Sequence, residues 1–333
     1  MSSSGAFSRD DLPTKEGKLA FTYRDETYET YYKVVGDLSS SAGVPLVTLH
    51  GGPGSAHYYL LALSDLVSPS PSPSPSSSSS ETETNAVIFY DQLGTGNSSH
   101  PRDSKAPSFW TPELFMEELA NLLAGLGVSQ KYDLLGHSWG GMLAAQFAAT
   151  FHDRRVRAGL RRLVLSSAPA SMALFERGCA ELVEALPADV RATLRRHEAD
   201  GTTDAREYEE AVGVFYARHL CRVRPFPPDL VRSFECIGED PTVYHTMNGP
   251  SEFHITGSLR TWSIIPSISD ISVPTLLLSG AHDEVQDECI QPFFDGIGKA
   301  SVKWAVFAES SHVAHLEERE RYMRIVRAFL GGD

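Results

Sequence analysis

Lys131 to Thr150 reads KYDLLGHSWGGMLAAQFAAT, and no other stretch restricts the possible folds of this chain so tightly. Tyr132 to Leu135 is a short, mostly apolar run suited to a buried strand, whereas Met142 to Phe151 is rich in alanine and other helix formers. Between them stand Gly136, Ser138 and Gly140 in the spacing G-x-S-x-G. A strand that turns into a helix so abruptly crowds its own backbone, so small residues are needed on either side of the apex. The apical serine is left with its hydroxyl exposed above the sheet. A bystander serine in a glycine-rich turn would give the same string. The two readings separate on whether an acid and a histidine follow in loops beyond later strands.

The chain on either side supplies those strands. Gly17 to Asp37 reads as an antiparallel hairpin at a sheet edge, turning at Arg24-Asp25-Glu26. Val44 to Leu49 is a compact apolar strand running into His50-Gly51-Gly52-Pro53-Gly54, a loop whose backbone amides can face a ligand. Tyr58 to Leu66 is predicted as a short helix. Ser68 to Thr84 is a serine and proline tract with nothing to place in a core, expected as a disordered surface loop. Ala86 to Tyr90 is again a buried strand, ending at Asp91-Gln92-Leu93-Gly94-Thr95-Gly96. Thr111 caps a helix with Pro112 at its first position, and Phe115, Leu119, Leu122, Leu123 and Leu126 recur at helical spacing. Gly159 to Ser166 adds a strand, so strands and helices alternate as a parallel sheet requires.

From about Pro169 to Ile268 the rhythm changes to amphipathic helices, with Phe175 to Leu186, Ala188 to His197 and Arg206 to Arg218 as candidates. Strand chemistry returns at Val273 to Ser279 and Val302 to Phe307, and a helix over about Leu316 to Leu330 closes the chain. The expected organisation is a core over residues 1–168, a helical cap over 169–268 and a second core segment over 269–333.

An acid and a histidine do follow the serine in that order. Asp283 lies four residues beyond the strand ending at Ser279, and His312 lies in the loop after Val302 to Phe307. Three loops at the carboxyl edge of one sheet would converge on one crevice. His312 would take the Ser138 proton while Asp283 fixes the imidazole tautomer. The backbone N–H groups of Trp139 and Gly52 are the candidate oxyanion donors, with Trp139 also a candidate for substrate contact. His137, adjoining the serine, faces the wrong way on such a turn, and His315 reads as a helix-start residue. No metal site or cofactor is expected, since no H-E-x-x-H or G-x-G-x-x-G stands in a suitable place.

A formal net charge of −14 argues against nucleic acid or an anionic membrane as a partner, because both reward clustered Lys and Arg. The cysteines Cys179, Cys221, Cys236 and Cys289 are scattered, which favours reduced thiols. No stretch approaches the roughly 18 apolar residues of a membrane span, and nothing resembles a signal peptide, so a cytoplasmic location is the expectation.

His50-Gly51-Gly52-Pro53-Gly54, Asp91-Gln92-x-Gly94-x-Gly96-x-Ser98, Gly136-x-Ser138-x-Gly140-Gly141, Gly280-x-x-Asp283-Glu284 and Ser311-His312 together resemble the proline iminopeptidases of the α/β-hydrolase superfamily. Val243 to Phe253 is similar to the tricorn-interacting aminopeptidase and L-amino acid amidase branch. The resemblance implies an α/β-hydrolase fold, a mostly parallel eight-stranded sheet with an inserted helical cap. It implies release of an N-terminal amino acid, proline or another apolar residue, from small peptides or amino acid amides. It also assigns Glu252 and Glu284 to the substrate's α-amino group and Tyr244 to substrate contact. The same triad would serve an esterase or lactonase, and a non-catalytic binding protein of this fold is the alternative from another class. The oligomeric state is open, with a monomer plausible.

Overall fold

A computed structural model describes residues 12–40, 43–67, 83–102 and 105–332. The serine and proline tract expected as a loop lies outside the described residues except at its end, where Thr84 already belongs to a strand.

Eight strands form one sheet: β1 (Thr14–Tyr23), β2 (Glu26–Gly36), β3 (Val44–Leu49), β4 (Thr84–Tyr90), β5 (Tyr132–His137), β6 (Leu160–Ser166), β7 (Thr275–Gly280) and β8 (Val302–Phe307). Their order is β1-β2-β4-β3-β5-β6-β7-β8. β2 pairs antiparallel with both its neighbours, and every other pairing is parallel. Arg24 and Asp25 turn the hairpin with φ of 48° and 65°, the left-handed pair whose twist matches that of the strands it joins.

Every residue of β3, β5 and β7 is buried, because helices cover both faces of the sheet. Successive side chains point to opposite faces, so Val47, Ile88, Leu134 and Leu163 join one apolar core while Leu46, Val87, Leu135 and Val164 join the other. The first core packs under α1 (Pro112–Gly125) and α2 (Trp139–Thr150), and α3 (Arg154–Ala158) leads into β6. The Thr111 hydroxyl accepts from Leu114 N–H at 3.4 Å, the N-cap the sequence predicts. Tyr58 to Leu66, predicted as a short helix, lies within a 3₁₀ helix over His57–Leu66.

Between β6 and β7 come α4 (Met172–Glu184), α5 (Ala188–Asp200), α6 (Arg206–His219), α7 (Pro228–Glu239) and α8 (Thr242–Met247). The three candidate helices of this region correspond to α4, α5 and α6. After β7 follow α9 (Asp287–Gly296), α10 (Ala314–Glu317) and α11 (Arg319–Gly331). The single terminal helix expected from Leu316 is thus two, broken where Glu318 adopts φ −121° and ψ 50°. The break lets both acids turn back on the loop after β8. Glu317 accepts from Ser311 N–H at 2.7 Å, and Glu318 accepts from Ser310 Oγ at 2.8 Å.

Candidate active site

Ser138 sits at φ 55° and ψ −125°, a conformation strained for any residue with a Cβ. Its neighbours make that conformation compulsory. A Cβ on Gly136 would overlap the Gly140 carbonyl, and one on Gly140 would overlap the carbonyl of Leu49 on β3. The turn is held by Ser138 N–H donating to Ser166 O at 2.9 Å. The Ser138 carbonyl accepts from Gly141 and Met142 N–H at 2.8 and 3.1 Å. Trp139 N–H opens α2 as one of the amides that have no partner within a helix. The Trp139 indole is fixed by donating to Gln92 Oε1 at 2.9 Å.

Across from the serine, Gly52 takes φ of 108° in a turn so tight that a Cβ would come within 2.7 Å of both Gly54 N and Ser55 N. Gly51 N–H is occupied, donating to the Tyr59 hydroxyl at 2.7 Å. Gly52, the next residue, lines the cleft beside Ser138.

Asp283, fully buried, accepts His312 Nδ1–H at 2.8 Å and Val285 N–H at 2.9 Å on one oxygen. The shared carboxylate fixes Nδ1 as the protonated nitrogen and turns Nε2 away from Asp283. His312 N–H and Glu284 N–H both donate to the carbonyl of His219, at 3.2 Å each, so the end of α6 pins the two loops together. Glu284 is 1% exposed, its Oε1 stands 3.6 Å from His312 Nε2, and neither carboxylate oxygen has a hydrogen-bond partner among the described residues. Burial pushes the Glu284 carboxyl well above its ordinary value, opposed by His312 and reinforced by Glu252 and Asp283. Burial pulls His312 the other way, but Asp283, Glu284 and Glu252 outweigh it and raise the imidazole to about 9.

Ser138, Gly52, Glu252, Glu284 and His312 all line one cleft of about 420 Å³, whose far wall is apolar and comes from Leu220, Leu230, Phe234 and Ile237. A second, tightly closed chamber continues past Ser138 and Glu252 to Trp139, Met142, Met172, Phe175 and Leu259. Tyr244 is not among the described residues lining either space. It stands behind Glu252 and donates its hydroxyl to Oε1 at 2.8 Å, so its contact is with the acid. Burial raises the Glu252 carboxyl, and Tyr244 and His312 counter it.

Asp91 is engaged by bonds within the loops. Asp91 accepts His57 N–H and Nδ1–H on one oxygen, at 3.0 and 2.7 Å, and Asn97 N–H on the other at 2.9 Å. The apolar wall from α7 was not read from the sequence: its buried face runs Leu230, Ser233, Cys236, and the serine interrupts the apolar spacing. Nor were Tyr59 and Gln92 read as part of the site, since only their partners across the fold give them a role. The four cysteines are buried and unpaired.

The sequence profile described as the alpha/beta hydrolase fold matches residues 44–319. A proline iminopeptidase of Saccharolobus solfataricus is 36% identical over 300 residues, covering 90% of this chain and 88% of that protein. Among solved structures, VinJ superposes with a TM-score of 0.83 at 45% identity, covering 94% of this chain and 98% of its own. The proline iminopeptidase of Mycobacterium smegmatis superposes with a TM-score of 0.78 at 39% identity, covering 94% and 97%. With this sheet, this serine turn and these relatives, the chain belongs to the proline iminopeptidase family of α/β-hydrolase-fold proteins.

Proposed function

We propose that the protein is a serine aminopeptidase that releases an N-terminal amino acid, proline or another apolar residue, from small peptides or amino acid amides. The observation that carries this reading is Glu284, a buried carboxylate with no hydrogen-bond partner among the described residues, 3.6 Å from His312 Nε2 at the wall of the cleft that holds Ser138, with Glu252 lining the same space. A buried carboxylate that accepts no hydrogen bond is costly, and the α-ammonium of a substrate can donate to it where His312 Nε2, at 3.6 Å, does not. Held by Glu252 and Glu284, that ammonium sets the distance from the chain's first nitrogen to the carbonyl presented to Ser138.

His312 Nε2 takes the proton from Ser138 Oγ as the oxygen adds to that carbonyl. The oxyanion is met by Gly52 and Trp139 N–H. Collapse breaks the C–N bond, and the proton held on His312 leaves with the amine, giving an acyl-enzyme on Ser138. A water deprotonated by His312 then hydrolyses the ester, returning the proton to Ser138 and freeing the amino acid. The second chamber, walled by Met142, Met172 and Phe175, suits an apolar first side chain. The walls contributed by α7 suit the leaving group, because His312 lines that cleft.

The test is a side-by-side assay of L-prolinamide, other aminoacyl amides and their N-acetylated analogues. Turnover confined to the free amines supports the reading. Equal turnover of the acetylated compounds refutes it and favours an esterase or amidase indifferent to the ammonium.

A further inference from the structure

At the wall of the cleft, whose lining includes Tyr59 and His137, a buried chain of side chains links three catalytic loops. Gly51 N–H donates to Tyr59 OH at 2.7 Å, Tyr59 OH lies 2.9 Å from His137 Nδ1, and His137 Nε2 lies 2.8 Å from His312 O. The polarity of each link is determined. A backbone N–H only donates and a backbone carbonyl only accepts, so His137 must carry its hydrogen on Nε2. Burial, with His312 and His315 adding to it, holds His137 well below its ordinary pKa, so its ring is neutral and Nδ1 is an acceptor. Tyr59 therefore donates to it while accepting from Gly51. His315 packs against both rings at 5.2 and 5.6 Å between centroids, and its Nε2 lies 3.1 Å from Tyr59 O.

Each end of this chain abuts a group with a role in the chemistry. Gly51 precedes the oxyanion donor Gly52, His137 precedes Ser138, and the carbonyl at the far end belongs to His312 itself. The three loops leave β3, β5 and β8. β3 and β5 pair directly, with Leu49 opposite Gly136, but β6 and β7 separate β5 from β8, so strand pairing alone does not fix the height of the His312 loop against the other two. We propose that Tyr59 and His137 are positioning residues, a brace that holds the oxyanion loop, the nucleophile and the general base in register. The inference rests on the serine-hydrolase reading above but not on the identity of the substrate.

The experiment measures the rate at which a fluorophosphonate labels Ser138, together with kcat and KM on an aminoacyl amide. The proteins compared are the wild type, Tyr59→Phe, His137→Leu and His137→Gln. Misplacement of reacting groups by an ångström costs up to about a hundred-fold. Tyr59→Phe and His137→Leu should therefore slow labelling and kcat by about ten- to a hundred-fold, a larger effect than on KM, because both line the cleft but neither is a carboxylate that holds the ammonium. Gln in place of His137 offers an N–H to the His312 carbonyl and should recover part of that loss. Labelling within two-fold of wild type in folded Tyr59→Phe and His137→Leu would overturn the brace. Should the variants not fold, nitrogen-15 spectra of the wild type decide: a neutral Nε2–H tautomer at His137 supports the proposal, and an Nδ1–H tautomer or an imidazolium overturns it. A wild-type protein that folds but never labels overturns the serine-hydrolase reading itself, and the brace with it.

Discussion

Replacing Glu284 by Gln should make this protein react faster with one class of reagent and slower with another. Glu284 Oε1 lies 3.6 Å from His312 Nε2. Two unit charges at that distance interact by about 4–5 kcal/mol at an effective dielectric of about 20, equivalent to about three pH units. Burial keeps Glu284 from being fully ionised on its own, so the pair titrates as a unit and the realised effect is smaller. The sign is set by the direction of the His312 shift. Its pKa is raised to about 9, so the imidazolium dominates at neutral pH and the base form emerges only as pH climbs through that value. Removing the Glu284 charge should lower the midpoint by about one to three pH units. The assay is the pH dependence of Ser138 labelling by a neutral fluorophosphonate, which carries no ammonium and so reports the free enzyme. Wild type should show an inflection near pH 9, and the variant one nearer neutrality, with labelling at pH 7 about ten-fold faster or more. The variant should at the same time lose kcat/KM on aminoacyl amides, because half of the ammonium site is gone. A wild-type inflection at the ordinary histidine value, unmoved by the substitution, would refute the reasoning.

Three further outcomes follow from the same structure. Glu252→Gln should lose about 2–5 kcal/mol of transition-state binding for aminoacyl amides, read as kcat/KM, while fluorophosphonate labelling persists. Gly136→Ala places a methyl against the Gly140 carbonyl where backbone meets backbone, and should lower stability by about 1–3 kcal/mol or prevent folding, measured by denaturant titration. Arg161 donates to both oxygens of the fully buried Asp133, at 3.0 and 2.5 Å, so Arg161→Met should destabilise by about 3–5 kcal/mol on the same assay.

The parts of the site legible in the sequence are those whose chemistry is local. The turn at Ser138 declares itself because glycine is forced at Gly136 by Gly140 only four residues on, although Gly140 is itself forced by Leu49 of the neighbouring strand. β8 was read with its observed bounds because Val302 to Phe307 carries valine and aromatic residues, interrupted by only one charge at Lys303. What escaped depends on distant partners. α7 hides behind Ser233, which looks polar in sequence but spends its hydroxyl on Ala56 O and Tyr59 N–H, at 3.2 and 3.1 Å. The break at Glu318 follows from its carboxylate reaching Ser310, a contact no helical periodicity encodes. His137 reads in sequence only as a residue facing away from the turn, and its partners appear only when Tyr59, 78 positions earlier, and His312, 175 positions later, close around it.

The central claim is that the Ser138 hydroxyl carries the amino acid between two steps of one reaction. Rapid quenching of the protein with an L-prolyl ester, followed by peptide mass spectrometry, tests it directly. The account predicts a prolyl adduct on the peptide containing Ser138 that forms and decays at the turnover rate, and that is absent from Ser138→Ala. Turnover that persists in Ser138→Ala, or an adduct carried by another residue, would contradict it.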